Sequence, residues 1–448
     1  MRRQLALLLL AVLTATACGA GPPDHVRIGV VAPLTGPRAA IGQQLSLGAE
    51  MAIADINAAG GLLGHDVELV LLDDADLASV PGQLADLAER AHVSAVIGPE
   101  SPGVLLGSRS PLTRREVPAL LASAFAGDLD EAASFVARTI PSADAQARAL
   151  GRWLVEEREI DRAAILVADA VEGDLARPQI EDALRSEGVD VVATVSADGT
   201  AADLRPAVAS LRDQTRQDGA TGDLAVLLWG QPTAAARATV AVRELDWDVQ
   251  VAVPASSFIG EFRTLAGAAS EGVVLVFPFD WSWFSSDLVP WMIRYNSRFG
   301  LGLLSQLDTL VIDVPVIAIA SYDAVRVVGE AVTAADSREP AAVAEALQTG
   351  TYEGLLSDYD LSEREAWSPE DLYVGRFHQF ALTFDVDPRL DLEQQRTFWD
   401  AQVSLDLFAE GQTPPAIQAI IERILGERAQ DPPVYAPPLP PPGIVGRP

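Results

Sequence analysis

Ser101 is the residue whose surroundings come nearest to those of a catalytic nucleophile. Residues 99–103 read Pro-Glu-Ser-Pro-Gly, between a predicted strand and a predicted helix, which is the setting of the G-x-S-x-G nucleophile turn. Pro99 stands where that turn needs its first glycine, and Pro102 lacks the backbone N–H that would complete an oxyanion hole. A hydrolase acting through Ser101 is therefore disfavoured, although it remains the alternative from the enzyme class.

The same position suits binding better than catalysis. Ser101 follows a strand and precedes Pro102, so its hydroxyl can cap the N-terminus of a helix. A helix N-terminus offers free N–H groups and a partial positive charge to a carboxylate or another polar ligand group. A cap that only stabilises the helix and a cap that also contacts a ligand both fit this position.

Metal and cofactor chemistry find little support in the sequence. The histidines do not pair at metal-ligand spacing, and Cys18 is the sole cysteine, so a zinc site of the usual ligands is not expected. Neither GxxxxGK[ST] nor a GxGxxG that follows a strand occurs. We therefore predict a protein that is not an enzyme and that has no cofactor. The histidines are His25, His65, His92 and His378.

The charge of the chain excludes a further class of partner. The formal net charge is −31 over 448 residues. Nucleic-acid phosphates require a basic face, so nucleic-acid binding is disfavoured, as is attraction to anionic lipid by charge alone. A solvated acidic surface is the simplest interpretation.

Alternating strands and helices must position any site. Val26–Ala32 is a nearly continuous apolar run, typical of a strand buried on both faces of a parallel sheet. A helical apolar pattern from about Ile41 ends at Gly60-Gly61, and Val67–Leu72 is the next predicted strand. Strand and helix patterns alternate onward to Val273–Phe277, which indicates an α/β fold with parallel sheets. Such sheets bind ligands at the carboxyl ends of their strands.

Several segments carry a family resemblance beyond this alternation. In the same order, they resemble the branched-chain amino-acid (leucine-binding) type of ABC-transporter substrate-binding proteins over roughly residues 26–385. The segments are IGVVAPLTGP, GAEMAIADINAAGGLLG and VELVLLDD within 26–74, VSAVIGPESPGV at 93–104, VPALLASAFAGDLDEA at 117–132, RTIPSADAQARALGRWL at 138–154, YNSRFG at 295–300 and ASYDAVRVVGEAV at 320–332.

The resemblance implies a type I periplasmic-binding fold, in which two Rossmann-like lobes with parallel sheets are joined by a three-crossover hinge. Lobe 1 would comprise residues 24–140 plus 278–350, and lobe 2 residues 141–277 plus 351–388. Hinged lobes can close around a ligand. Beyond the resemblance, we predict a helical extension at 389–431 and a proline-rich tail at 432–448 that is extended or disordered.

Candidate ligand-binding residues follow from the loops that the family uses. In lobe 1 these are Ser101, whose position contacts the ligand in the family, and the loop of Ser123, Ala124 and Phe125. Phe125 replaces the family's threonine, so main-chain contacts would survive while the hydroxyl contact would not. Ser123 keeps a hydroxyl, and Phe125 could line the pocket with an apolar face.

Lobe 2 departs further from the family pattern. Glu172 or Val171 replaces an aromatic residue that covers the ligand in the family, and Gln231 could supply amide hydrogen bonds. The loop containing Ser256 lacks the acidic residue that grips a ligand ammonium in amino-acid binders, and Glu172 could substitute for it. Asp280 could bind a ligand cation or cap a turn. These departures put branched-chain amino-acid specificity in question.

The N-terminus predicts export. Arg2 and Arg3 precede a short apolar core, and residues 1–17 read as a signal peptide. Small residues before Cys18 are typical of a lipobox, in which Cys18 is lipidated, and residues 18–24 would form the linker to the anchor. Ala15-Thr16-Ala17 also fits an ordinary signal-peptidase site, which would release the protein.

Together these features predict an extracytoplasmic lipoprotein attached to the membrane through its N-terminal lipid. It would capture a small organic solute (an amino acid, an amide or a related carboxylate) between its lobes and deliver it to an ABC permease. We expect a monomer. The alternatives are a ligand sensor of the same fold and a surface interaction protein that has lost its ligand.

Overall fold

A computed structural model describes most of the chain between residues 25 and 384. The predicted signal peptide, Cys18, the predicted extension at 389–431 and the predicted tail at 432–448 lie outside the described residues. The described residues are 25–74, 76, 78–100, 102–123, 135–168, 173–217, 223–257, 260–278, 288–299, 316–363, 367–368, 372–378 and 381–384.

The strands of this region form two large sheets and one small sheet. In chain order they are β1 (Val26–Ala32), β2 (Val67–Asp73), β3 (Ala95–Ile97), β4 (Ala119–Leu121), β5 (Val136–Arg138), β6 (Arg162–Ala168), β7 (Asp190–Ser196), β8 (Ala225–Gly230), β9 (Gln250–Val253), β10 (Val274–Phe277), β11 (Thr351–Glu353), β12 (Asp358–Asp360), β13 (Tyr373–His378) and β14 (Ala381–Phe384).

The first sheet has the strand order β2-β1-β3-β4-β5, and its neighbouring strands run parallel. β1 was predicted with the bounds that the structure shows, because its side chains are buried almost throughout. The chain passes from β1 to β2 on one side and then to β3 on the other side of β1. The switch point of this sheet therefore lies between β1 and β3.

The second sheet has the order β14-β13-β10-β9-β8-β6-β7. Strands β6 to β10 pair in parallel, whereas β13 pairs antiparallel with β10 and with β14. Its switch point lies between β6 and β8, since the chain goes from β6 to β7 on one side and to β8 on the other. The predicted α/β fold with parallel sheets is confirmed.

Helices cover these sheets. They are α1 (Ala39–Ala58), α2 (Val80–Asp86), α3 (Pro102–Gly107), α4 (Arg109–Arg115), α5 (Ala143–Arg158), α6 (Gly173–Ser186), α7 (Arg205–Gln217), α8 (Pro232–Glu244), α9 (Gly260–Ala266), α10 (Leu288–Phe299), α11 (Val316–Ala334) and α12 (Pro340–Thr349). None of the helices in the described part of the chain combines the length and the apolar composition that a bilayer span requires.

Helices α1 and α11 pack so closely that only glycine fits at one contact. A Cβ added to Gly48 would lie 2.0 Å from the carbonyl oxygen of Ala318. Next to this contact, the Ser321 hydroxyl donates a 2.7 Å hydrogen bond to the Leu45 carbonyl. The pair also contributes buried apolar side chains to the core of the first lobe, which we define as the five-stranded sheet and its helices.

The buried carboxylate of Asp323 on α11 organises the small β11–β12 sheet. Its two oxygens accept hydrogen bonds from the backbone N–H groups of Leu355 and Leu356 at 2.8 and 2.9 Å. The Tyr359 hydroxyl also donates to Asp323 Oδ2 at 2.9 Å. Residues 351–360, which the sequence assigned to lobe 2, are thus bonded to a helix of the first lobe. The division of the chain into lobes stays a proposal.

Candidate functional site

The two switch points of the sheets face one another. In open α/β sheets, ligands bind in the crevice outside the carboxyl ends of the strands at such a point. The loops that follow β1 and β3 lie at the first switch point, and the loop that follows β8 lies at the second. A solute held there would contact both lobes, the second lobe being the seven-stranded sheet with its helices.

A hydrogen bond between Glu100 and Gln231 joins the two switch points. Gln231 Nε2 donates to Glu100 Oε1 at 3.0 Å. Glu100 follows β3, and Gln231 follows β8 at the residue that precedes α8. The Gln231 side chain makes no cap bond to the helix, and its amide reaches across to the first lobe. The contact identifies these loops as opposing walls of one cleft.

Arg38 ties together three loops of the first lobe. Its guanidinium donates to Glu100 Oε2, to Asp74 Oδ1 at 3.5 Å and to the Asp74 carbonyl at 3.4 Å. The exposed fractions of the three side chains are 12% for Arg38, 4% for Glu100 and 0% for Asp74. The loops after β1, β2 and β3 thus share one charged cluster, which we call the Arg38 cluster (Arg38, Asp74 and Glu100).

The Arg38 cluster contains two carboxyl groups and one guanidinium. Burial raises the pKa of Asp74, while the nearby Arg38 partly opposes that rise. Among the described residues, no donor bonds to Asp74 Oδ2, although that atom is buried. Asp74 Oδ2 can therefore accept a further N–H group.

Backbone features explain why the loops can approach so closely. Gly98 has a φ of +88°, and a Cβ there would lie 2.3 Å from the Val31 carbonyl oxygen. Only glycine combines that conformation with that distance, so Gly98 brings the loop of Glu100 against β1. The Asp73 carboxylate accepts bonds from Leu34 N at 2.9 Å and from Thr35 Oγ1 at 2.8 Å, which hold the loop before Arg38.

Two predicted serines also lie at strand ends. Ser123 follows β4 and is buried, and no described residue bonds its hydroxyl. Ser256 follows β9 in a short 3-10 turn and is buried as well. The neighbouring Ala255 N–H donates to the buried side chain of Gln146 on α5 at 3.0 Å, which fixes that turn. Ser123 therefore offers an unused hydroxyl at the sheet edge that contains the Arg38 cluster.

The predicted site residues divide into two groups. Ser123, Gln231 and Ser256 are described, and of these Gln231 makes the contact between the lobes. The others lie outside the described residues, so their predicted roles stay predictions. They are Ser101, Ala124, Phe125, Glu172, Asp280 and the lipidation residue Cys18.

Sequence reasoning missed the Arg38 cluster. Each member follows a predicted strand, and charged residues at the carboxyl ends of buried parallel strands are the signal that was available. Glu100 was noted as part of the Pro99–Gly103 segment without a role. No group of three or more His, Cys, Asp or Glu side chains arranged to hold a metal ion occurs within the described ranges.

A family model described as "Periplasmic binding protein" matches residues 25–377. Among curated proteins, the Leu/Ile/Val-binding protein BraC3 of Rhizobium johnstonii is 34% identical over 163 residues, which are 35% of this chain and 44% of that protein. The chain thus matches less than half the length of BraC3. The leucine-, isoleucine-, valine-, threonine- and alanine-binding protein of Pseudomonas aeruginosa is 23% identical over 81% of this chain and 92% of its own length.

Solved structures agree on the fold. The leucine-binding protein LivK of Thermotoga maritima superposes with a TM-score of 0.67 at 18% identity, over 81% of this chain and 98% of that protein. At that identity the likeness shows the architecture alone. It confirms the predicted two-lobed arrangement of parallel sheets.

Proposed function

Because the chain belongs to the periplasmic binding protein family, we propose that it captures a small organic solute, an amino acid or a related compound, between its two lobes. The observation that supports this most directly is the Glu100–Gln231 hydrogen bond. It joins the switch points of two parallel sheets, which is where such folds bind ligands. A solute that contacts both loops would favour the closed arrangement of the lobes and so shift the open–closed population.

The finer role that we propose is delivery of this solute to an ABC permease. The curated relatives are named as binding proteins for leucine, isoleucine and valine, and this naming supports an amino acid as the solute that is delivered. We further propose that Cys18 is lipidated and holds the protein on the outer face of the membrane. The solute would leave chemically unchanged, because the proposed role is capture rather than turnover.

A thermal-shift screen of the full chain in mild detergent tests solute capture. The panel contains amino acids, amides, small carboxylates, polyamines and aromatic acids. A ligand that binds only the folded state at 100 times its Kd stabilises it by about 2.7 kcal/mol, which raises the Tm measurably. Mass spectrometry of the recovered solute checks that it is unchanged.

Substitutions locate the binding site of any hit. We expect Gln231→Ala to weaken the hit, and Gln214→Ala, an exposed glutamine on α7, to leave it intact. An equal shift in both variants would place the solute elsewhere. No shift with any compound would contradict solute capture and favour the surface interaction protein.

A further inference from the structure

We propose that the solute has a cationic nitrogen group, an ammonium or a guanidinium, and that Glu100 and Asp74 of the first lobe bind it. This inference rests on the proposed function and specifies the ligand class of the same cleft. It assigns the recognition of the cation to Glu100 and Asp74, whereas Glu172 and Asp280 were the candidates for that role from the sequence.

The charge balance of the Arg38 cluster favours a cation. Glu100 and Asp74 both pair with Arg38, and both side chains are almost completely buried. Buried carboxyl groups are costly to ionise, and a positive ligand group would reduce that cost. A solute that has only a carboxylate would instead place a third negative charge beside two others.

The hydrogen-bonding capacity of the cluster points to the same ligand group. Asp74 Oδ2 is buried and accepts from no described residue. An ammonium or a guanidinium brings several N–H donors, whereas a carboxylate brings none. Arg38 already donates to Glu100 and Asp74, so a ligand anion would have to compete with two carboxylates for it.

Glu100 also lies where recognition can be coupled to closure. Its Oε1 accepts from Gln231 of the second lobe, and its Oε2 accepts from Arg38 of the first. A cation bound to Glu100 would therefore lie against both walls of the cleft. The unused hydroxyl of Ser123, at the edge of the same sheet, could accept a further N–H group.

The test uses three compounds that share the isobutyl group of leucine and differ in charge: L-leucine, 3-methylbutylamine and 4-methyl-2-oxopentanoate. Putrescine and agmatine extend the series towards higher positive charge. Binding to the full chain is measured by thermal shift and calorimetry. We expect any compound that binds to have a cationic nitrogen. The oxo acid should bind at least tenfold more weakly than L-leucine. Equal or tighter binding of the oxo acid would overturn the proposal.

Variants assign the effect to the cluster. Glu100→Gln keeps an acceptor for Gln231 but removes the charge, so we expect at least a tenfold loss of affinity for the cationic ligand. Glu68→Gln is the matched control, because it removes an exposed carboxylate on β2 that pairs with Arg27 of β1, and it should leave the affinity unchanged. Unchanged affinity in Glu100→Gln would overturn the assignment.

Folding of the variants is checked by circular dichroism. If Glu100→Gln fails to fold, Asp74→Asn replaces it, and the three-compound comparison on the unaltered chain decides in either case. If only anionic compounds of the wider panel bind, this inference fails while solute capture stands. If no compound binds, both fail together.

Discussion

The buried carboxyl group of Asp323 should make the protein less stable as the pH rises through about 6. Burial is the largest influence on this group and raises its pKa from 3.8 to about 6, against the opposing effect of three hydrogen bonds and of Arg326. The folded state therefore holds a proton that the unfolded state has already released. Its stabilising contribution is complete below pH 3.8 and is lost as the pH rises through 6.

The size of the effect follows from the pKa difference. One pKa unit corresponds to about 1.36 kcal/mol, so the full contribution is about 3 kcal/mol. Between pH 4.5 and 7.5, where urea unfolding is practical, about 2 kcal/mol of it should be lost. Asp323→Asn cannot titrate. The unfolding free energy of the unaltered protein minus that of the variant should therefore fall by this amount across the range.

The measurement is urea unfolding at several pH values, followed by circular dichroism. Taking the difference between the two proteins cancels the titration of all other groups that the substitution leaves alone. Asp358→Asn, which removes an exposed carboxylate of the same small sheet, is the matched control. A flat or rising difference for Asp323→Asn would refute the assignment of the raised pKa to this group.

Three other substitutions test packing, closure and anchoring. Gly48→Ala should cost about 1–3 kcal/mol, because its methyl group would overlap the backbone of the facing helix, whereas Gly82→Ala on an open helix face should hold or raise the Tm. Gln231→Glu would set a second carboxylate against Glu100, and a repulsion of about 1–4 kcal/mol should open the lobes at pH 8 but not at pH 4.5. Small-angle X-ray scattering would detect a larger radius of gyration at pH 8, and an unchanged radius would contradict the contact. Cys18→Ser should abolish labelling with palmitate and release the protein from membranes; retained label would disprove lipidation at Cys18.

Much of the fold could be predicted because buried parallel strands leave a strong local signal. The apolar run Val26–Ala32 and the pattern of Val67–Leu72 sufficed to place β1 and nearly all of β2. The three-residue strand β5 was missed, since so short a segment has no detectable periodicity and depends on its pairing with β4. Strands β13 and β14 were also missed, because antiparallel strands late in the chain interrupt the βα alternation.

The position of the site could be predicted from the sequence, but the charged residues that form it could not. Gln231 could be found because it follows a predicted strand, and ligands bind at strand ends. The Arg38 cluster could not be found in this way, because its members are brought together by the strand order β2-β1-β3 and by the close approach at Gly98. Neither feature can be derived from the types of residue alone.

The antiparallel pairing of β10 with β13 also has a consequence for how the chain folds. Val274–Phe277 meets Tyr373–His378 only after about 100 further residues have been made, and contacts between such distant segments form slowly. Until then β10 is an open edge whose unpaired N–H and C=O groups can recruit a strand from another chain. The pairing of β13 with β10 thus closes an edge that could otherwise promote aggregation. A chain that stops near residue 363 should misassemble even though its cleft residues are intact.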